Sequence, residues 1–177
     1  MSTDELVEMT VESVRVHMLS SQHVVILKAA DRDRYLPIWI GPWEANAIAM
    51  RLQGMSPERP LTHDLLASML ESLQVHVDRV VVSDLAEETF HARIFMEAEG
   101  RRLEIDSRPS DAIALAVRAS TPIFATEAVL DRAGVTPSGD EDERLEVFRD
   151  FVNSLEIEDE PPSEPPSEMG GERRLLD

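Results

Sequence analysis

The chain has 177 residues, enough for one well-cored domain and a tail. Its formal charge is −18; residues 138–177 hold 14 acids against 4 bases, and residues 1–137 hold 21 against 13. That field repels polyanions at long range, and the absence of cysteine excludes disulfides, thiol nucleophiles and thiolate metal sites.

The first thirteen residues, MSTDELVEMTVES, lack the apolar stretch of a secretory signal. No apolar run approaches the roughly 18 residues of a spanning helix. A soluble, cytoplasmic protein with no membrane partner is expected. Residues Leu6 to Met18 alternate apolar and polar, with a slip of phase at Glu12–Ser13 that predicts a bulged strand. Val24 to Ala29 predicts a second strand and Tyr35 to Ile40 a third, separated by the charged turn Asp31 to Arg34. Gly41 ends the third strand and Pro42 suits the first position of a helix running to Leu52. Thr62 is the expected cap of a second helix carrying Leu65, Leu66, Met69, Leu70 and Leu73.

The order then recurs. Val75 to Val82, Thr89 to Glu97 and Arg102 to Ile105 predict strands, and Pro109 opens a helix. Ile123-Phe124 is a short apolar stretch before a last helix capped by Thr126 and ended by Gly134. The recurrence is a repeat in the letters themselves. LPIWIGPWEANAIAMRL at 36–52 lies over LEIDSRPSDAIALAVRA at 103–119, matching Pro42 with Pro109, Arg51 with Arg118 and Glu44 with the acid Asp111. The expected fold is α+β: two duplicated β-β-β-α-α units in one compact domain, residues 1–137, with a mixed or antiparallel sheet. Residues 138–155 read as an acidic, helix-compatible extension. Residues 156–177, rich in Pro and Glu, read as a disordered tail.

Candidate chemistry gathers at the starts of the helices. Asp106, Arg108 and Asp111 stand where a strand becomes a helix, a common place for sites. Glu44 holds the equivalent place in the first half. Glu44, Asp106 and Asp111 offer the oxygen ligands that Mg²⁺ or Mn²⁺ takes. Asp111 also sits where an acid favours a helix N-terminus for purely structural reasons. Arg108 can fork onto phosphate. Arg59 and His63 are a second pair, one a phosphate ligand and the other a proton-transfer group, since imidazoles titrate near neutrality. Trp43 beside Glu44 can stack a base or fill an interface. No dinucleotide fingerprint, phosphate loop or zinc pattern is present, so no organic cofactor is expected.

The segments LPIWIG at 36–41 with Glu44, RPLTHDL at 59–65, EIDSRPSDAIALAVR at 104–118 and PIFATEAVL at 122–130 make residues 6–137 resemble the bifunctional nuclease domain. Plant members of that family are described as nucleases acting on RNA and DNA. The resemblance implies a compact α+β domain, a homo-oligomer with a dimer favoured, and an RNA or DNA substrate. Two functions follow as expectations. One is a divalent-metal-dependent nuclease using Glu44, Asp106 and Asp111 for metal or base oxygens, Arg59 and Arg108 for phosphate, and His63 for proton transfer. The other is a non-enzymatic oligomeric scaffold whose acidic tail meets a basic protein partner.

Overall fold

In a computed structural model that describes residues 5–17, 20–137 and 155–157, the two sequence halves become two three-stranded antiparallel meanders. The first comprises β1 (Leu6–His17), β2 (His23–Ala29) and β3 (Tyr35–Ile40). Its register shifts between Val11 and Ser13, where the apolar alternation slips, so that Val7, Met9 and Val14 all stay buried. Helices α1 (Pro42–Leu52) and α2 (Thr62–Ser72) follow. The second meander is β4 (His76–Ala86), β5 (Thr89–Ala98) and β6 (Arg101–Ser107), followed by α3 (Pro109–Ala119). Its tight turns place Glu87, Glu88, Glu99 and Gly100 at positive φ.

The second half then departs from the expected order. Ile123-Phe124, read only as a short apolar stretch, belongs to a strand, β7 (Ile123–Thr126), ahead of α4 (Glu127–Ala133). It lies at the centre of the sheet, in the order β3-β2-β1-β7-β4-β5-β6. It pairs antiparallel with β1 and parallel with β4, which makes the sheet mixed. A central strand is covered on both sides, and Ile123, Ala125 and Thr126 are all buried.

The main core forms between one sheet face and helices α1, α3 and α4. Leu27, Leu36 and Ile38 meet Ile48, Ile113, Leu115 and Leu130 there. Val24 and Ile26, out of phase with Val25 and Leu27, pack with Tyr35 on the opposite face. The alanines of the repeat explain how α1 and α3 lie so close. Ala45, Ala47 and Ala49 are buried, as are Ala112, Ala114 and Ala116. Arg118 Nη2 donates to the Ala47 carbonyl at 3.0 Å, and its repeat equivalent Arg51 donates from Nε to the Val117 carbonyl at 3.4 Å.

The Thr126 cap stands as expected: its hydroxyl accepts from the Val129 N–H at 3.3 Å and donates to the Ser83 carbonyl at 3.4 Å. Thr126→Ala leaves a buried N–H and a carbonyl unpaired, so urea unfolding should show a loss of about 1–2 kcal/mol. A loss within error of zero would deny the cap this weight. At α2 the expected cap moves by one residue. Leu61 is the N-cap, Thr62 the first helical residue, and the Asp64 carboxylate closes the turn by accepting from the Leu61 N–H at 2.9 Å.

Residues 138–154 and 158–177 lie outside the described residues, and with them most of the expected helix and tail. Between them Leu155–Ile157 forms β8, paired antiparallel with Arg15, Val16 and His17 of β1. A strand thus stands where the helix end and the tail's first residues were expected. The reason is an open edge: β7 covers β1 only from Leu6 to Met9, leaving the far end of that side unpaired.

Candidate active site

The repeat brings the two strand-to-helix junctions together. At the first, Gly41 is the N-cap, Pro42 opens α1 and Glu44 falls in its first turn. At the second, Arg108 is the N-cap, Pro109 opens α3 and Asp111 falls in its first turn. The helix N-termini favour both acids, and neither helix has a capping side chain. Gly41 has an ordinary φ of −73°. A Cβ there would meet the Glu44 carboxylate and oblige that side chain to shift.

Arg108 joins the two junctions. Its Nη2 donates to Glu44 Oε1 at 2.6 Å, and its Nε donates to Asp111 Oδ2 at 2.8 Å. The bonds to Glu44 first, then Asp111, raise the Arg108 pKa above its ordinary value, so the guanidinium stays charged. The Glu44 side chain is 14% exposed, whereas that of Arg108 is 66% exposed. The cation therefore remains within reach of a ligand from solvent.

The other oxygen of Asp111 faces α2. His63 Nε2 lies 2.9 Å from Asp111 Oδ1, across 48 residues of sequence, with the imidazole only 11% exposed. With a carboxylate oxygen as its partner, Nε2 is the donor, which leaves Nδ1 as the acceptor of the neutral ring. Asp64, next to His63, anchors the helix that presents it. Arg118 Nε meets Asp64 Oδ1 at 2.5 Å, while Arg118 Nη1 and Nη2 reach the Ala114 and Ala47 carbonyls at 2.9 and 3.0 Å. One arginine side chain, 6% exposed, thereby fixes α1, α2 and α3 to one another.

Four of the six residues singled out in the sequence converge: Glu44, His63, Arg108 and Asp111. Two do not. Asp106 alternates with Ile105 and Ser107 along β6 and stands opposite Arg93 of β5, on the sheet face away from the helices. Arg93 is itself ion-paired with Glu104. Arg59 is exposed in the loop before α2 and has no ion pair among the described residues. The expected metal set of Glu44, Asp106 and Asp111 is therefore not assembled. Among the described residues no three metal-ligating side chains gather at one point. Arg108 occupies the space between Glu44 and Asp111, so this arrangement does not fit a resident cation. Asp64 and Arg118 were not among the expected site residues, although the repeat had already marked Arg118 as the partner of Arg51.

Beside this network lies a cavity of about 500 Å³, bounded by Trp39 to Pro42, Arg108 to Ser110 and the turns at Ser21–His23 and Glu88–Phe90. The sequence profile of the bifunctional nuclease domain matches residues 25–138, from within β2 to the end of the described core. The chain belongs to the bifunctional nuclease domain family. An uncharacterized protein of Mycobacterium tuberculosis is 39% identical over 161 residues, covering 86% of this chain and 96% of its own. A protein of Oryza sativa named bifunctional nuclease 1 is 25% identical over 114 residues, covering 62% of this chain and 34% of its own. A bifunctional nuclease of Oryza minuta shows the same identity and coverage. No helix among the described residues is long and apolar enough to cross a membrane.

Proposed function

We propose that this protein hydrolyses phosphodiester bonds of RNA or DNA, with His63 as proton-transfer group and Arg108 as phosphate ligand. The observation that carries the reading is the hydrogen bond between His63 and Asp111, made beside an arginine that stays exposed. Asp111 orients the imidazole and stabilises the cation it becomes on taking a proton. His63 Nδ1 takes that proton from water, whose oxygen bonds to phosphorus as the bond from phosphorus to the leaving sugar oxygen breaks; the imidazolium then gives the proton to that oxygen. Arg108, held through Nε and Nη2 by Asp111 and Glu44, offers its Nη1 to phosphate oxygens and opposes the charge that grows on them. The names of the rice relatives support the reaction class, and the geometry supports the roles. No step is drawn through a metal ion, because Arg108 already fills the gap between the carboxylates. Dependence on Mg²⁺ or Mn²⁺ belongs to the test.

The test is cleavage of labelled RNA and DNA by the full chain, in Mg²⁺, in Mn²⁺ and in EDTA, beside a folded His63→Gln variant. Cleavage that survives EDTA and falls with the variant supports the route through His63. Cleavage lost in EDTA makes the metal expectation the correct one. Equal rates in parent and variant remove His63 from the reaction.

A second reading, a self-associating scaffold, is favoured by one observation. Helix α2 buries no residue fully, and its outward stripe of Leu65, Leu66, Met69 and Leu73 is 38–68% exposed. These positions lie on one side of the helix, flanked by Leu70 and then Ala67, which pack against the core. A contiguous apolar stripe of this kind marks an association surface. A second copy of the chain is the proposed occupant. The double variant Leu66→Glu, Met69→Glu should shift light scattering from a dimer mass to a monomer mass while leaving circular dichroism unchanged. An oligomer that survives both glutamates uses another face.

A further inference from the structure

The cavity beside Arg108 carries more than the catalytic network uses. Both repeat helices begin at its wall, through Gly41-Pro42 and Arg108-Pro109-Ser110. Each helix is 11 residues long, and the first-turn amides of each have no capping side chain. Amides left open in this way favour an anion. Ser110 adds a side-chain donor to these amides. It is 6% exposed, lines the cavity, and has no hydrogen-bond partner for its hydroxyl among the described residues. A donor that opens onto a cavity from a residue otherwise buried is placed to meet a bound group. Neither Glu44 nor Asp111 lines the cavity; its acid is Glu88, exposed in the β4–β5 turn.

Aromatic residues line the same cavity. Trp39 is 47% exposed, and Phe90 at the start of β5 is a second lining ring. The indole is steadied by an edge contact with His17, with centroids 6.4 Å apart. A phosphate-attracting end, a hydroxyl donor and a half-open indole within about 500 Å³ match the parts and size of one nucleotide.

We propose that this cavity is a subsite for a single unpaired nucleotide. Its phosphate meets Ser110, Arg108 and the α3 N-terminus, and its base lies on Trp39. This deepens the nuclease reading and rests on it for the choice of a nucleotide as ligand. The site selects single strands, because a base held in a duplex stack has no free face to lay on Trp39.

The experiment uses the full chain carrying Trp43→Phe. Of the chain's two tryptophans that leaves Trp39 as sole reporter. Adenosine 5′-monophosphate is titrated in EDTA while indole fluorescence is followed, with adenosine as the phosphate-free control. Saturable quenching is expected, about tenfold weaker for adenosine and about tenfold weaker again in Ser110→Ala. Alanine is at home in a helix, so that variant keeps its fold. No fluorescence change, or equal affinity in parent and Ser110→Ala, overturns the subsite. Cleavage activity without nucleotide binding overturns the subsite and leaves the nuclease reading intact. Nucleotide binding without cleavage under any metal condition supports the subsite and removes the nuclease reading.

Discussion

Asp111→Asn should slow cleavage of a labelled single-stranded RNA by at least about 100-fold. The carboxylate has two duties that the amide cannot share. Asp111 Oδ1 meets His63 and Oδ2 meets Arg108, so both oxygens accept from donors. An amide keeps one acceptor and turns a second donor against either the imidazole or the guanidinium. Whichever way it flips, one of the two proposed groups loses its orientation. The fold should survive, since the new amide would sit at a partly exposed helix start; the Asp111 side chain is 32% exposed. Rates under single-turnover conditions, with circular dichroism beside them, decide the matter. A folded variant that cuts at the parental rate would leave Asp111 a purely structural acid.

The largest stability effect is expected at Arg118. Arg118→Met keeps the length and apolar stem of the side chain and removes its charge and donors. Asp64 loses its partner, and the carbonyls of Ala47 and Ala114 lose theirs. Arg118 is 6% exposed and Asp64 26%, so breaking this partly buried pair costs about 2–3 kcal/mol, which urea unfolding should read directly. The same pair sets an acid limit. Burial raises the Asp64 pKa, but the hydrogen bonds from Arg118 and the Leu61 N–H, with the charge of Arg118, outweigh it and leave the carboxyl below its ordinary value. A carboxylate held low in the folded state contributes stability that is whole above a pH of about 4 and lost as pH falls through its folded pKa. The parent should therefore lose stability more steeply than Arg118→Met over that acid range. Parallel pH profiles would mean that Asp64 does not titrate through Arg118.

Much of this architecture was written in local signals. The slip at Glu12–Ser13 announced the bulge, Pro42 and Pro109 announced the helix starts, and Thr126 announced its cap. Each is a short-range preference of backbone or side chain, readable without knowledge of partners. The position of β7 was not readable, because four residues carry no period, and their place between β1 and β4 depends on two distant strands. The site divides in the same way. The repeat pointed to Glu44 and Asp111 through equivalent positions, and the strand-to-helix junction pointed to Arg108. The bond from His63 to Asp111 and that from Arg118 to Asp64 join different helices, so no spacing could announce them. Asp106 is different: the period of two along Leu103, Ile105 and Ser107 already assigned it to the other face, and the lure of an acid beside Arg108 hid that signal.

The late position of β7 in the chain has a consequence for how the molecule folds. Each meander closes through hairpins between neighbours, contacts that form quickly because little chain must be looped. The seam between the meanders is another matter. Leu6 pairs with Thr126, and the Glu127 N–H reaches back to the Glu5 carbonyl. During synthesis, both meanders can leave the ribosome before the strand that unites them exists. Until β7 slots in, the inner edges of β1 and β4 stand open, exposing two strand edges to mispairing with other chains.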